Sequence, residues 1–255
     1  MDLQFLYSLI VGIFIGGVAG YLGSLMITKR MALVGDALGH AALPGIAIAL
    51  IYGFNPSWGA IPALFLGILV IWFFEIYTKL PMEALTGIVF TASVAIAFLF
   101  LPEDQVSNAL IGDISKISLS DTIFSVILSI IVFLILKKIF SKMILTSISE
   151  DVARVEHIDT KKYNFIYLVC IAIVVALGIK ITGSLLMGAL VITPAAAARN
   201  MASNLFQYSF GALIIGIVSS VLGILLFKAF SFPAGPCVIL SATAIFLISL
   251  IFRKK

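Results

Sequence analysis

The stretch LQFLYSLIVGIFIGGVAGYLGSLMITKR, residues 3–30, decides the fold class. Residues 3–27 contain no charged side chain, and the run ends at Lys29-Arg30. Because the hydrocarbon core of a bilayer needs about 20 consecutive apolar residues, this run is long enough to span it. No basic residue precedes the run, so we expect a retained membrane span rather than a cleaved signal peptide.

The composition extends this interpretation to the whole chain. Of its 255 residues 62% are hydrophobic, the mean hydropathy is +1.22, and only 11% are charged, against about 25% in soluble domains. These values predict an all-α polytopic membrane protein with a single transmembrane domain over residues 1–255. The net charge of +4 does not indicate nucleic-acid binding, and the two cysteines, both in apolar segments, form neither a disulfide framework nor a CxxC motif.

Apolar runs bounded by charges or turn residues predict about nine spans. The seventh, GSLLMGALVITPAAAA, contains Pro194 and many small residues, so it is either a span or a broken segment, which leaves eight full spans as the alternative. The predicted spans cover residues 3–27, 34–53, 57–78, 84–101, 120–140, 163–179, 183–198, 204–227 and 232–252.

The lysines and arginines predict the orientation. With nine spans and the N-terminus outside, thirteen of the sixteen basic residues fall on the cytoplasmic side and only Lys116, Lys180 and Lys228 face outward. The opposite orientation violates the tendency of basic loops to stay in the cytoplasm. We therefore predict an external N-terminus and a cytoplasmic C-terminus in the plasma or inner membrane, a prediction that depends on an odd number of traversals.

The longest predicted cytoplasmic loop is residues 141–162. Its segment Ser149-Glu150-Asp151 is acidic, as helix starts often are, and valine or isoleucine recurs at positions 152, 155 and 158. Two interpretations fit this pattern: a short amphipathic helix, or a solvated connector. The longest predicted external loop, 101–118, contains Glu103, Asp104 and Asp113 and is either an acidic mouth that favours cations or a solvated loop.

Asp36 and His40 stand four residues apart in MALVGDALGHAALPG, residues 31–45, inside the second span. On a helix this spacing places both side chains on one face, where a carboxylate and an imidazole form a ligand set acceptable to zinc, manganese or iron. The structural alternative is that Asp36 caps the helix near the cytoplasmic surface and His40 donates a hydrogen bond to it. Two ligands leave a coordination shell of four to six incomplete.

Other polar residues favour structural roles. Glu75 is spaced for an ion pair with Lys79, Glu83 is a first-turn acid of the fourth span, and His157 lies in the cytoplasmic loop. Met187 and Cys237 are either soft ligands or packing residues. Glycines spaced three or four apart in the first two spans predict close helix packing. The sequence contains no phosphate-binding loop and no HExxH or GxSxG motif, so it does not indicate an enzyme.

Five stretches, read together, resemble the permease subunits of the ABC importers for zinc, manganese and iron. The two most specific are KRMALVGDALGHAALPGIAIA, residues 29–49, which is similar to the second-helix signature of that family, and ITGSLLMGALVITPAAAARN, residues 181–200. The others are NALIGDISKISLSD (108–121), ISEDVARVEHIDTKK (148–162) and SFPAGPCVIL (231–240). The resemblance covers nearly the whole chain.

This resemblance implies a fold similar to that of the vitamin B12-type importers, with two permease copies around a central pathway. It implies two cytoplasmic ATP-binding subunits, which hydrolyse ATP, and an extracellular metal-binding protein that delivers the ion. Asp36 and His40 match the family positions that coordinate the passing metal, which is a substrate rather than a resident cofactor. Two copies then supply two carboxylates and two imidazoles.

The resemblance also identifies the cytoplasmic loop as the segment that couples the permease to the ATPase. The coupling positions are Glu150, Asp151, Val152, Ala153, Arg154 and Val155. The loop departs from the family at Glu156-His157, where the family often has a glycine, so the shape of the following turn is open. The form GDALGHAALPG is closer to the manganese and iron branch than to the zinc branch.

Three functional hypotheses follow. The first is a permease subunit of an ATP-driven importer for a divalent transition metal. The alternative is a stand-alone secondary metal transporter, which needs further membrane carboxylates for a coupling ion, and Glu75 and Glu83 lie too near the interfaces for that role. The third, an intramembrane metalloenzyme, needs a fuller ligand motif than one membrane histidine provides.

Overall fold

The computed structural model describes residues 3–54, 56–78, 80–100, 114, 117–184 and 186–252. The segments Lys79 and 101–113, with the acidic residues of the predicted external loop, lie outside this part of the chain. The described residues form eleven α-helices and no strand, which confirms the all-α prediction. The helices are α1 (Leu3–Thr28), α2 (Ala32–Ala41), α3 (Leu43–Ile51), α4 (Pro56–Tyr77), α5 (Met82–Phe100), α6 (Leu119–Ile148), α7 (Glu150–Val155), α8 (Thr160–Thr182), α9 (Met187–Met201), α10 (Leu205–Phe230) and α11 (Ala234–Ile251).

Eight segments of the described chain are long and apolar enough to cross a membrane, with α2 and α3 together forming one of them. The predicted seventh span forms α9, which has 15 residues and therefore a length of about 22 Å. A full span needs about 17 residues or more, so the 15 residues of α9 are too few. Of the two counts that the sequence left open, the structure favours eight full-length spans plus one short helix.

The short helix α9 nevertheless runs from one end of the bundle to the other. Its last turn meets the last turn of α11, where the Asn200 Nδ2 donates to the Ser249 Oγ across 2.9 Å. At the opposite end, Gly235 at the start of α11 packs against Thr182, which ends α8 just before α9. Because α9 runs parallel to α11, it makes a passage of its own, and the described helices together make an odd number of passages along the bundle.

The two ends of the bundle are defined by contacts of α1. At its start the Ser8 hydroxyl donates to the main-chain oxygen of Ile114 across 3.0 Å, and the Lys228 ammonium lies 4.1 Å from the ring centre of Phe5. We call this the N-terminal end. The opposite end, called the C-terminal end, contains Lys29, α7 and the last turns of α9 and α11. The first and last helices of the chain therefore have their free ends at opposite ends of the bundle.

The centre of the bundle is the antiparallel pair α1 and α10, which α9 and α6 flank. The glycines of α1 allow the backbones to touch: a Cβ at Gly20 would collide with the Ala212 carbonyl, and one at Gly216 with the carbonyl of Gly16. Close approach of this kind is a main source of helix association in membranes, where lipid is as apolar as the side chains. The predicted packing role of these glycines is confirmed.

The helix α6 continues past residue 140, where the sequence predicted its end, to Ile148. The reason is that Met143 and Ile144 prolong its buried face beyond the cluster of lysines. Together with the start of α8 at Thr160, this shortens the predicted loop 141–162 to residues 149–159. Within it α7 forms the predicted short helix.

Candidate functional site

Asp36 and His40 lie on the accessible stripe of the α2–α3 span. Five side chains at helical spacing are at least partly exposed on this stripe, whereas most residues between them are buried against other helices. The stripe consists of Leu33, Asp36, His40, Pro44 and Ile48. The structure thus brings the two predicted ligands to one face, as their spacing predicted.

The pair lies deeper in the bundle than the sequence indicated. Leu38 and Ala41, the neighbours of His40 on α2, pack against Gly67, which is in the middle of α4. The reason is the turn between α1 and α2: Arg30 has a φ of 57°, the Met31 N–H donates to the Met26 carbonyl, and the Met31 side chain is buried. The turn therefore folds into the bundle, and α2 begins below the surface.

The His40 ring is held by its own helix. Its Nδ1 lies 3.1 Å from the main-chain oxygen of Asp36. A carbonyl oxygen only accepts, so Nδ1 carries the proton in this hydrogen bond and Nε2 keeps its lone pair in the neutral ring. This is the tautomer that a metal-ligating histidine with a main-chain partner adopts.

A second contact comes from α5. The rings of His40 and Phe90 meet edge to face, with their centres 4.9 Å apart and their planes at 71°. Such pairs contribute about 0.5–1.5 kcal/mol beyond the area they bury. Phe90 and the Asp36 carbonyl together restrict how the imidazole can turn.

The capping alternative for Asp36 is wrong. The residue preceding α2 is Met31, no side chain caps that helix end, and Asp36 is the fifth residue of the helix. The His40 ring bonds the main-chain oxygen of Asp36 rather than its carboxylate. The Asp36 carboxylate therefore serves neither as the helix cap nor as the ring's partner.

Behind the pair, α2 packs closely on the start of α9. A Cβ added to Gly188 would lie 2.6 Å from the Asp36 Cβ, and one added to Gly39 would lie 2.7 Å from the Ser184 main-chain oxygen. Real Cβ atoms do not approach other atoms this closely, so both positions require glycine in this packing. Gly188 fixes the depth at which the Asp36 backbone sits, a role that no spacing in the sequence revealed.

Asp36 and His40 are the two potential metal ligands that the structure brings together within one chain. Among the described residues no group of three or more histidine, cysteine, aspartate or glutamate side chains is placed to hold a metal ion. Met187 is buried, and its sulfur faces Gly178 and accepts a hydrogen bond from the Thr182 hydroxyl at 3.8 Å, away from the accessible stripe. Cys237 lies buried on α11.

Glu75 belongs to a polar link at the C-terminal end of the bundle. The Asn164 Nδ2 donates to the Glu75 Oε1 across 2.8 Å, and the Lys29 Nζ donates to the Asn164 Oδ1 across 2.6 Å. This link joins α4 and α8 to the end of α1. Glu83 is an exposed residue in the first turn of α5, as predicted.

The helix α7 presents apolar side chains outward at the same end. Val152 is 48% exposed and Val155 is 77% exposed, whereas Ala153 is fully buried. Ser149 starts the helix, with its hydroxyl accepting from the Val152 N–H at 3.3 Å. Asp151 is exposed, and the side chains of Glu150 and Arg154 lie outside the described part of the chain.

The turn after α7 has the shape that a glycine would favour. His157 has a φ of 55°, and the Ile158 N–H donates to the Ala153 carbonyl across 2.9 Å, the bond that closes a helix through a left-handed residue. The departure Glu156-His157 therefore leaves the turn geometry intact. The exposed His157 holds the left-handed conformation at some energetic cost.

Comparison with known proteins identifies the family. The ABC 3 transport family matches residues 2–253, so the chain belongs to this family. It is similar to the zinc uptake system membrane protein ZnuB of Haemophilus influenzae, with 30% identity over 254 residues and 97% of both chains covered. It is equally similar to the manganese import permease ScaB of Streptococcus gordonii, with 30% identity over 259 residues, 100% of this chain and 93% of the relative.

Two solved structures share the fold. PsaBC from Streptococcus pneumoniae in complex with Fab has a TM-score of 0.83 at 28% identity, covering 97% of this chain and 91% of that one. An inward-facing metal-chelate type ABC transporter has a TM-score of 0.78 at 15% identity, covering 96% and 85%. The chain is thus a multi-pass membrane protein with the fold of an ABC permease, and a transport component rather than a catalytic subunit.

Proposed function

We propose that this permease subunit imports a divalent transition metal, namely manganese, zinc or iron. Two relatives with the same 30% sequence identity are named for zinc uptake and for manganese import, so sequence identity does not distinguish between these metals. The observation that carries the proposal is the accessible stripe of α2–α3, on which the Asp36 carboxylate and the His40 imidazole stand one turn apart. The tautomer of His40 leaves Nε2 as the ligand atom.

The functional unit in this proposal is a homodimer with two cytoplasmic ATP-binding subunits and an extracellular metal-binding protein. Two ligands per chain suit a site that two copies share, because the pair then supplies four donors to one ion. The resemblance to PsaBC, a complex by its name, supports such an assembly. The metal passes through as substrate, and the permease needs no resident cofactor.

The C-terminal end of the bundle is the cytoplasmic end in this proposal. It contains the helix α7, whose exposed Val152 and Val155 form an apolar surface suited to a groove on an ATPase. The odd number of passages agrees with an external N-terminus and a cytoplasmic C-terminus. Movement of α7 on ATP binding would tilt α6 and α8, which it joins, and open the pathway to each side in turn.

Transport in proteoliposomes tests this proposal. The permease is reconstituted with and without its ATPase partner, and uptake of manganese, zinc and iron is measured. ATP-dependent uptake that requires the partner supports an ABC importer. Gradient-driven uptake by the permease alone would establish the secondary transporter instead.

A further inference from the structure

The span that contains the site is interrupted just after His40. Helix α2 ends at Ala41 and α3 begins at Leu43, with Pro44 in its first turn. In a continuous helix the N–H of residue 44 would donate to the carbonyl of residue 40. Proline has no N–H, so the His40 main-chain oxygen loses its regular donor.

The Ala42 N–H is shared between the carbonyls of Leu38, at 3.3 Å, and His40, so it occupies only part of the acceptor capacity of the His40 oxygen. A carbonyl oxygen has two lone pairs, so the His40 oxygen keeps acceptor capacity. Ala42 itself remains helical, with φ −73° and ψ −24°, which keeps positions 36, 40 and 44 in register on one face.

Because the register is kept, the helix geometry places the His40 oxygen between positions 40 and 44 of the accessible stripe. Side chains on a helix lean toward its N-terminus, whereas its carbonyls point toward its C-terminus. The His40 oxygen therefore extends the series of donors, from the Asp36 carboxylate through the His40 imidazole, toward Pro44 and α3. A main-chain carbonyl that loses its helical donor in a membrane span is suited to bind a cation where it lines a polar pathway.

We propose that the His40 main-chain carbonyl is a further cation-binding group of the pathway and that Pro44 determines metal preference by keeping it free. This inference rests on the proposed metal transport through the Asp36–His40 pair. A carbonyl oxygen is a hard donor, which suits manganese better than zinc, whereas imidazole suits zinc. The carbonyl therefore shifts the selectivity of the pair toward manganese.

The substitution Pro44→Ala tests this inference because it supplies the missing N–H and leaves both side-chain ligands in place. Its control is Pro62→Ala, the same chemical change within α4 at an exposed position. Competitive uptake of manganese and zinc is measured in the reconstituted importer. Pro44→Ala is expected to lower the manganese-to-zinc uptake ratio about tenfold, as for the loss of one charge-assisted contact, with no change for Pro62→Ala.

A second measurement applies if Pro44→Ala does not assemble. Replacing the peptide bond between His40 and Ala41 by an ester weakens the carbonyl as an acceptor while Pro44 stays in place, and it should lower the same ratio. An unchanged ratio in the ester variant, or in an assembled Pro44→Ala variant, would overturn the inference. The proposed function fails separately, if Asp36→Ala and His40→Ala leave uptake of every metal intact.

Discussion

The His40 imidazole donates through Nδ1 to the main-chain oxygen of Asp36 across 3.1 Å, so the two residues are joined through the backbone rather than through the carboxylate. Both potential ligand atoms, the Asp36 carboxylate and the His40 Nε2, are thereby left for another partner. A carboxylate at this depth in a membrane protein is costly unless it serves such a partner. This relationship underlies the first prediction, which concerns the orientation of the ring.

Substitution of Phe90 is expected to weaken the site without removing a ligand. In Phe90→Leu the His40 ring loses its edge-to-face neighbour and gains rotational freedom. The loss of about 0.5–1.5 kcal/mol corresponds to a metal affinity about 2- to 12-fold weaker, measured as the Kd for manganese or zinc in detergent. Phe98→Leu, on the exposed side of the same helix, is the control. Equal affinities of the two variants would show that Phe90 does not orient His40.

Gly188→Ala should displace Asp36. The added methyl group would lie 2.6 Å from the Asp36 Cβ and 2.9 Å from its Cα, so either α2 or α9 must move. Overpacking of this kind costs about 1–3 kcal/mol, which a lower thermal midpoint in detergent would reveal together with reduced uptake.

The control for this prediction is Gly87→Ala on α5, where an added Cβ meets nothing within 4 Å. It should leave both stability and uptake near the native values. If Gly188→Ala behaves like Gly87→Ala, the close packing of α9 against the site does not hold Asp36 in place.

His157→Gly should stabilise the turn after α7. A left-handed conformation costs a non-glycine residue about 1–2 kcal/mol, and the greater freedom of glycine in the unfolded chain offsets about 0.5–1 kcal/mol of that gain. We expect a small rise in the thermal midpoint for His157→Gly and a fall for His157→Val, whose branched side chain tolerates this conformation poorly. A fall for both would contradict the left-handed φ of 55° at this position.

The apolar surface of α7 should be required for binding the ATPase. Replacing Val152 and Val155 by serine removes two exposed apolar groups, and burial of a valine in a complex is worth about 1.5 kcal/mol or more. The double variant is therefore expected to lose co-purification of the ATPase, whereas Glu156→Gln, an exposed change in the same loop, retains it. Normal co-purification of the double variant would remove α7 from the interface.

The sequence predicted the helical segments well because a membrane span requires a continuous run of apolar residues, which can be read directly from the sequence. Each of the nine predicted apolar runs is helical in the structure. The seventh run forms the short helix α9, which contains Pro194. The predicted end of α6 at residue 140 is wrong, because the lysines near that position do not end the helix, which continues to Ile148. The burial of Met143 beyond that boundary depends on packing partners that are distant in the sequence.

The site was predicted in part. The spacing of Asp36 and His40 indicated a common face, but it did not exclude the capping alternative, because the start of α2 depends on the buried turn at Met31. Phe90 and Gly188 were missed, since neither stands near the pair in the sequence. The predicted span 34–53 runs through Pro44 without a break, because the effect of this proline on the His40 carbonyl depends on how α2 and α3 join.

The most direct test is metal uptake by the reconstituted importer carrying Asp36→Ala or His40→Ala, with assembly verified by co-purification of the ATPase. Because each substitution removes one of the two ligands that each chain supplies, both variants should assemble normally and lose uptake of manganese, zinc and iron. Native rates of uptake in both assembled variants would contradict the assignment of the pathway to these two residues.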